Sequence, residues 1–402
     1  MRIAFFTNNY LPNIYGVPMS VETFRKEFER LGHTVYIFAP NFPGYIDENK
    51  NACPLENFSE KNFGRVFRYP SLDIEIKFRL PLGIPYSRKM DRIIEKLDLD
   101  IIHSHHPNLL GSAAMKWAKK KNIPLIFTWH TLYDKYTNFV PFLPAKLSAD
   151  WIIKKAVKYA NQADSVIVPT QSIEPILKNW GVVNKIFPVA TGIDEKCFSG
   201  SDRKKIREKY QIKDDEIVLL LVSRLTEEKN ISFLFDAVAE VLQNNSHAKF
   251  LLVGDGYLKT ELEKEAKKRN LDQQIIFAGL VEAEEIKNYY AAGDIFVYAS
   301  KSETQGMIIT EAMYMGLPIV AVKATGIESL VEENVNGFLT AEEKNKFIEA
   351  VQKLLNDAAL RQKMSAESSR IAREKYTASA SAEKMLVVYA EAIEHKKEKS
   401  LH

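Results

Sequence analysis

The segment Ser302-Glu303-Thr304-Gln305-Gly306-Met307-Ile308-Ile309-Thr310-Glu311 holds two carboxylates on either side of a glycine. It follows the apolar run 295–297 and reads as strand, turn and then a helix opening at about Gly306. The first N–H groups of a helix have no partner inside it, and the helix dipole favours negative charge there. The amides of Met307 and Ile308 therefore suit an anion. Glu303 precedes the turn and Glu311 lies about one and a half turns into the helix, so they cannot reach one atom. A diphosphate at the helix start would have a carboxylate on each side. Carboxylates accept hydrogen bonds from paired hydroxyls, and sugars supply such pairs. The same spacing also suits a capped helix with two surface glutamates.

The second group is Val222-Ser223-Arg224-Leu225-Thr226-Glu227-Glu228-Lys229-Asn230, directly after the apolar run 217–222. Arg224 and Lys229 leave the carboxyl end of a buried strand, where two fixed cations could neutralise a leaving diphosphate without a metal. A solvated charged loop is the alternative. Gly254-Asp255-Gly256 marks a strand end, as it does in many proteins.

In the first half, Pro12-Asn13-Ile14-Tyr15-Gly16-Val17 joins a strand to a helix, and Gly16 would let backbone approach a ligand. It is not the Gly-x-Gly-x-x-Gly pattern of nicotinamide and flavin enzymes. His103-Ser104-His105-His106-Pro107 could bind a metal, yet no cysteine or carboxylate completes a familiar zinc spacing. His130, in Thr128-Trp129-His130-Thr131, would by itself be structural, but its loop should face a cleft between domains.

Positioning these groups falls to alternating strands and helices. Strand runs at 3–7, 34–39, 101–104, 125–129 and 165–169 alternate with helical stretches at 19–31, 109–120 and 152–161. The second half repeats the pattern with strands at 217–222, 249–253, 274–277, 295–297 and 318–322. Its helices are expected at 232–243, 258–269, 284–291 and 307–315. Alternation of this kind needs right-handed crossovers and parallel sheets covered on both faces. The expectation is an α/β chain of two Rossmann-like domains, since 402 residues exceed one core. The boundary falls within 188–213, and the chain is helical and charge-rich after about residue 343. In open parallel sheets ligands bind outside the carboxyl ends of the strands, where most unusual residues here lie.

Hydrophobic residues form 46% of the chain and charged residues 27%, which excludes disordered and collagen-like classes. No apolar run approaches the roughly 18 residues of a membrane span. The opening Met1-Arg2-Ile3-Ala4-Phe5-Phe6-Thr7 lacks the apolar core of a signal peptide. With only Cys53 and Cys197 there is no disulfide framework, and a reducing cytoplasm is the default. Residues 1–200 carry 26 Lys and Arg against 19 Asp and Glu, whereas residues 201–402 carry 29 against 33. A basic half suggests an anionic partner, nucleic acid or an acidic membrane, or simply uneven surface charge.

Taken in order, the Gly16 loop, His130, Ser223-Arg224-Leu225 with Lys229, Gly254-Asp255-Gly256 and the Glu303-Gly306-Glu311 series resemble the retaining glycosyltransferases of family four. These have the GT-B fold, two Rossmann-like domains with parallel sheets facing an interdomain cleft. The resemblance covers nearly the whole chain. It implies an acceptor and membrane-facing domain, residues 1–192, braced by the last helix at 379–396, and a nucleotide-sugar domain, residues 193–378. It implies that Arg224 and Lys229 hold a diphosphate, that Glu303 binds hydroxyls of the transferred sugar, and that the amides of Gly306, Met307 and Ile308 help hold the donor. Glu311 would bind the ribose, His130 would approach the sugar's far hydroxyl near the reacting carbon, and the Gly16 loop would close over the phosphates. The base would pack near residues 277–280, with Leu280 at its edge. His130, Glu303, Arg224 and Lys229 form the implied catalytic set. No cofactor and no required metal are implied, magnesium being at most a stimulant, and the favoured chemistry is a front-face attack assisted by the leaving phosphate.

Glu303-Thr304-Gln305-Gly306-Met307 is similar to the branch that glucosylates diacylglycerol, whereas many members carry Phe-Gly where Gln305-Gly306 stands. Tyr15 replaces the first glycine of a common pair, which implies a differently shaped acceptor entrance. Basic and aromatic residues independently suggest a lipid surface: Lys77 and Arg79, Phe139 and Phe142, then Trp151, Lys154, Lys155 and Lys158, the three lysines on one helical face. A helix packed on its own sheet would read the same way at 151–159.

The expected activity is retaining transfer of glucose from UDP-glucose to the 3-hydroxyl of 1,2-diacylglycerol, by a protein peripheral on the cytoplasmic face of an anionic membrane. One alternative keeps the fold and moves mannose from GDP-mannose to phosphatidylinositol or a polysaccharide. Another is a non-catalytic nucleic-acid or phosphate binder, against which stand the modest net charge of +3 and the lack of a nucleic-acid-binding motif.

Overall fold

The computed structural model describes residues 1–13, 16–42, 65–75, 79–132, 145–301 and 303–401. Contacts divide the chain into two units, Met1–Gly192 with Ala378–His402, and Ile193–Thr377.

The first unit contains β1 (Arg2–Phe6), β2 (Thr34–Pro40), β3 (Val66–Tyr69), β4 (Ser71–Glu75), β5 (Arg79–Gly83), β6 (Ile101–Ser104), β7 (Leu125–Thr128), β8 (Ser165–Val168) and β9 (Ile186–Pro188). Seven of them form one sheet in the order β3-β2-β1-β6-β7-β8-β9, every neighbouring pair parallel. β4 and β5 make a separate antiparallel hairpin. Successive strand residues point to opposite faces, so each strand feeds two cores. Phe6, Ile102 and Phe127 pack with Ile94, Trp117 and Tyr159 from helices on one face. Phe5, Ile101 and Ile126 pack on the other face with Val21 and Phe28 of the helix Gly16–Arg30. The terminal helix Ala378–Leu401 lies on that second face. Its Ala382, Met385, Tyr389 and Ala392 recur every three or four residues, the stripe one helix face presents.

The second unit holds β10 (Ile217–Val222), β11 (Ala248–Val253), β12 (Ile275–Gly279), β13 (Ile295–Tyr298), β14 (Ile319–Val322) and β15 (Gly337–Thr340). They form a parallel sheet in the order β12-β11-β10-β13-β14-β15. Val218, Leu219, Leu220 and Leu221 are wholly buried, which is why β10 reads as an unbroken apolar run rather than an alternating one.

In each sheet the strand order reverses, at β1/β6 and at β10/β13. Crossovers leave those points in opposite directions, so each sheet has a crevice at the carboxyl ends of β1 and β6 or of β10 and β13, which precede Gly16, His105, the Arg224–Lys229 loop and the Glu303–Gly306 loop.

Candidate active site

In the second unit, the loops after β10 and β13 are held in place by glycines. A Cβ on Gly254 would lie 2.0 Å from the carbonyl oxygen of Ser223, and one on Gly256 would lie 2.2 Å from that of Leu225. This close approach lets Ser223 N–H donate to Val253 and Leu225 N–H donate to Asp255, both at 2.9 Å. The loop carrying Arg224 and Lys229 is thus strapped to the Gly-Asp-Gly turn. On the other side, a Cβ on Gly326 would sit 2.5 Å from the carbonyl oxygen of Glu303.

Lys229 ends a single helical turn, Glu227–Lys229, closed by Asn230 in the left-handed region at φ 55°. The Asn230 amide donates to the carbonyl of Ala299, just past β13, at 3.3 Å. That bond ties the two loops together, and Lys229 Nζ meets Glu303 Oε1 at 2.5 Å. Tyr298 donates its hydroxyl to the same oxygen at 2.6 Å. Lys229 and Glu303 keep only 17% and 15% of their side-chain exposure, so little solvent screens the pair. Burial opposes ionisation of Glu303, but the ammonium of Lys229 and the bonds from Lys229 and Tyr298 outweigh it and hold the carboxyl below its usual range. Glu303 is therefore a carboxylate, an acceptor for hydroxyls.

Glu311 is shifted the opposite way. Its Oε2 accepts from the Tyr290 hydroxyl at 2.7 Å. Burial pushes its carboxyl up to about 7, the Tyr290 bond opposing only in part. Tyr290 and Tyr298 are the functional neighbours that sequence reasoning missed. The available signal was a hydroxyl-bearing aromatic at the end of the apolar strand Ile295–Tyr298, which needs a partner once buried.

Gly306 caps the helix Met307–Tyr314 at φ 73°, the left-handed region that glycine occupies without strain. Its carbonyl accepts from Ile309 and Thr310, so the amides of Met307 and Ile308 precede the first intrahelical bond. Arg224 stands apart from this group. Its guanidinium is 65% exposed and bonded to Glu228, four residues on. Leu280, 81% exposed, follows β12. Gly16 opens its helix with nothing within 4 Å of where a Cβ would be.

In the first unit, His130 follows β7, and its Nε2 lies 3.0 Å from His105 Nδ1. Trp151, Lys154, Lys155 and Lys158 line the exposed face of the helix Ala145–Ala160, with Lys155 Nζ 3.7 Å from the centre of the Trp151 ring. Ala156, Tyr159 and Ala160 on its other face enter the core, so the helix packs on its own sheet and also presents a basic aromatic surface. Lys77, Phe139 and Phe142 lie outside the described residues, as does Tyr15, and the Arg79 side chain is likewise not described. Among the described residues, no three His, Cys, Asp or Glu are grouped to hold a metal ion, and no helix is long and apolar enough to cross a membrane.

Residues 14–196 match the model for glycosyltransferase family 4, and residues 202–370 match that for glycosyl transferases group 1. The alpha-monoglucosyldiacylglycerol synthase of Acholeplasma laidlawii is 32% identical over 370 residues, 89% of this chain and 88% of that one. The chain belongs to the family-four glycosyltransferases. A GDP-mannose-dependent alpha-mannosyltransferase of Corynebacterium glutamicum is 28% identical to this glycosyltransferase over 341 residues, 84% of this chain and 76% of that one. The crystal structure of Anabaena HepE in complex with UDP has a TM-score of 0.75 at 20% identity. It covers 97% of this glycosyltransferase and 100% of that chain, which shows the GT-B fold.

Within such a site Tyr298 positions Glu303. Tyr298→Phe keeps the ring and removes one bond to a charged group, so transfer should fall about tenfold while the melting temperature moves little. Steady-state rates of wild type and variant check this, and equal rates would show that Tyr298 only fills space.

Proposed function

We propose that this glycosyltransferase moves glucose from UDP-glucose to the 3-hydroxyl of 1,2-diacylglycerol with retention of configuration. The observation that carries the reading is the buried Lys229–Glu303 pair beside the head of the Met307–Tyr314 helix, at the point where strand order reverses. The donor and acceptor follow the Acholeplasma laidlawii relative, and the exposed Trp151, Lys154, Lys155 and Lys158 face suits an anionic membrane.

In this proposal the diphosphate sits on the amides of Gly306, Met307 and Ile308. Lys229 turns from Glu303 to the phosphates, and Arg224, free to swing from Glu228, joins it. Glu303 accepts from hydroxyls of the glucose, Glu311 from the ribose, and His130 meets a further sugar hydroxyl; Leu280 borders the base and Gly16 the phosphates. The acceptor oxygen bonds to the anomeric carbon as the bond to the diphosphate breaks, and the acceptor's proton passes to the departing phosphate oxygen on the same face. The protein's part is to fix charge where it develops. Nucleotide sugar and lipid are the only reactants in this scheme, no metal acts in it, and the enzyme works as a peripheral protein on the cytoplasmic face of the membrane.

Purified protein mixed with UDP-glucose and diacylglycerol vesicles should yield an alpha-glucosyl lipid. No glycolipid across donors and lipid compositions would refute the acceptor assignment. The Corynebacterium glutamicum relative favours a second reading, mannose from GDP-mannose. A ligand that binds only the folded state raises its melting temperature, so a shift with UDP and none with GDP decides for the first reading, and the reverse for the second.

Glu311 makes a separate prediction. Protonation turns one of its two acceptor oxygens into a donor and removes the charge that strengthens bonds from ribose hydroxyls, and its carboxyl stands at about 7. UDP affinity should therefore weaken by up to about tenfold per pH unit below 7 and level off above it. The unliganded fold obeys the opposite sign: with the folded value above the ordinary 4.5, Glu311 costs stability as pH rises through 4.5 to about 7. Calorimetric titration from pH 5.5 to 8 checks this, and a slope that persists in Glu311→Gln would assign it to another group.

A further inference from the structure

The histidines of the first unit form more than a pair. His103 lies in β6 and His105 one residue past its end, two residues apart and on one face. Their rings stack at 4.4 Å and 22°, and His130 lies edge to edge with His105, ring centres 5.2 Å apart and planes at 23°. Phe5 on β1 sets its ring edge-on to His103 and His105, at 5.4 and 5.1 Å. His103 anchors the far end, its Nδ1 2.6 Å from the Tyr389 hydroxyl of the terminal helix and its Nε2 2.6 Å from Thr128 Oγ1.

Burial holds all three rings neutral, His103 down to about 3 and the other two well below the ordinary value, with neighbouring imidazoles adding to the effect for His105 and His130. A neutral imidazole has one donor nitrogen and one acceptor. The His105–His130 contact at 3.0 Å therefore needs the proton on one of its two nitrogens. His105 Nε2 is buried with no partner among the described residues. An orphaned buried N–H is rarer than an unused acceptor, so the His105 proton belongs on Nδ1.

We infer that His105 is a positioning residue that donates from Nδ1 to His130 Nε2, locking His130 in the tautomer whose proton is on Nδ1. His130 then offers its substrate a hydrogen-bond donor, directed at a sugar or phosphate oxygen, and cannot serve as a base through Nε2. The catalytic consequence rests on the proposed contact between His130 and the donor sugar; the tautomer does not.

Long-range nitrogen–proton NMR of protein labelled at histidine, assigned with His130→Asn and His105→Phe, reads the tautomer directly. The expected spectrum has a protonated Nδ1 and a bare Nε2 on His130, and the converse overturns the inference. Turnover gives a second readout. His105→Phe keeps the ring and loses the donor, and should lower kcat about tenfold with a smaller change in KM. His105→Asn places an amide N–H near the Nδ1 position and should recover most of that loss. Equal losses in two folded variants would overturn the positioning role. Should His105→Phe fail to fold, the unaltered protein's spectrum still decides. If His130→Ala turns over normally, the sugar contact is wrong, while the spectrum continues to judge the tautomer.

Discussion

Lys229→Met should lower transfer by about 10²–10³-fold, the usual loss when one fixed group facing developing charge is removed. The variant also changes Glu303. Burial, the largest influence on that carboxyl, is now outweighed by Lys229 and the hydrogen bonds. Without the ammonium, only the hydrogen bonds from Tyr298 and Ser300 oppose burial, and the carboxyl rises. In the wild type, Glu303 contributes stability above its ordinary range that is lost as pH falls through its lower folded value. In the variant the folded value moves up toward the ordinary one, and that contribution shrinks. The acid limb of the residual kcat profile should therefore move to higher pH. An intact fold, a rate within tenfold of wild type and an unmoved acid limb would together show that the pair is structural.

Gly254→Ala should be the most damaging change of a single atom. Gly254 has φ 129°, outside what an L side chain accepts, and its Cβ would fall 2.0 Å from the Ser223 oxygen. Backbone strain of roughly 1–3 kcal/mol and overpacking of similar size add up to a melting-temperature fall of roughly 5–20 °C in a unit of this size. The displaced atoms belong to the loop of Arg224 and Lys229, so nucleotide should no longer raise the melting temperature. Gly200→Ala is the control, with φ 62° but nothing within 4 Å. It should cost only the left-handed backbone penalty, about 1–2 kcal/mol. Equal melting of the two variants would mean that the Gly254 approach is not tight.

Much of the architecture was legible because parallel strands buried on both faces read as short apolar runs. The run 217–222 coincides with β10, and 101–104 with β6. The strands that escaped notice are β3, β9, β15 and the β4–β5 hairpin. β9 is Ile-Phe-Pro, β15 begins with Gly337, and β5 contains Pro81, so breakers masked them. At the site, Glu303, Gly306, Glu311 and Lys229 stood out because carboxylates and a lysine beside strand ends are chemically conspicuous. Tyr290, Tyr298 and Asn230 did not, since each acts through a partner from another element. Arg224 illustrates the converse: its position after β10 was legible, but its pairing with Glu228 across one short turn was not. His103 and His105 could be placed on one face from their spacing, whereas the contact of His130 with His105 depends on how the loop after β7 folds back.

The most direct test of the account is a crystal structure with UDP-glucose bound. The diphosphate should lie within hydrogen-bonding distance of Lys229 Nζ and the amides of Met307 and Ile308, with glucose hydroxyls on Glu303 and the ribose on Glu311. A nucleotide ordered elsewhere, with Lys229 still bonded to Glu303 and the head of the Met307–Tyr314 helix untouched, would contradict it.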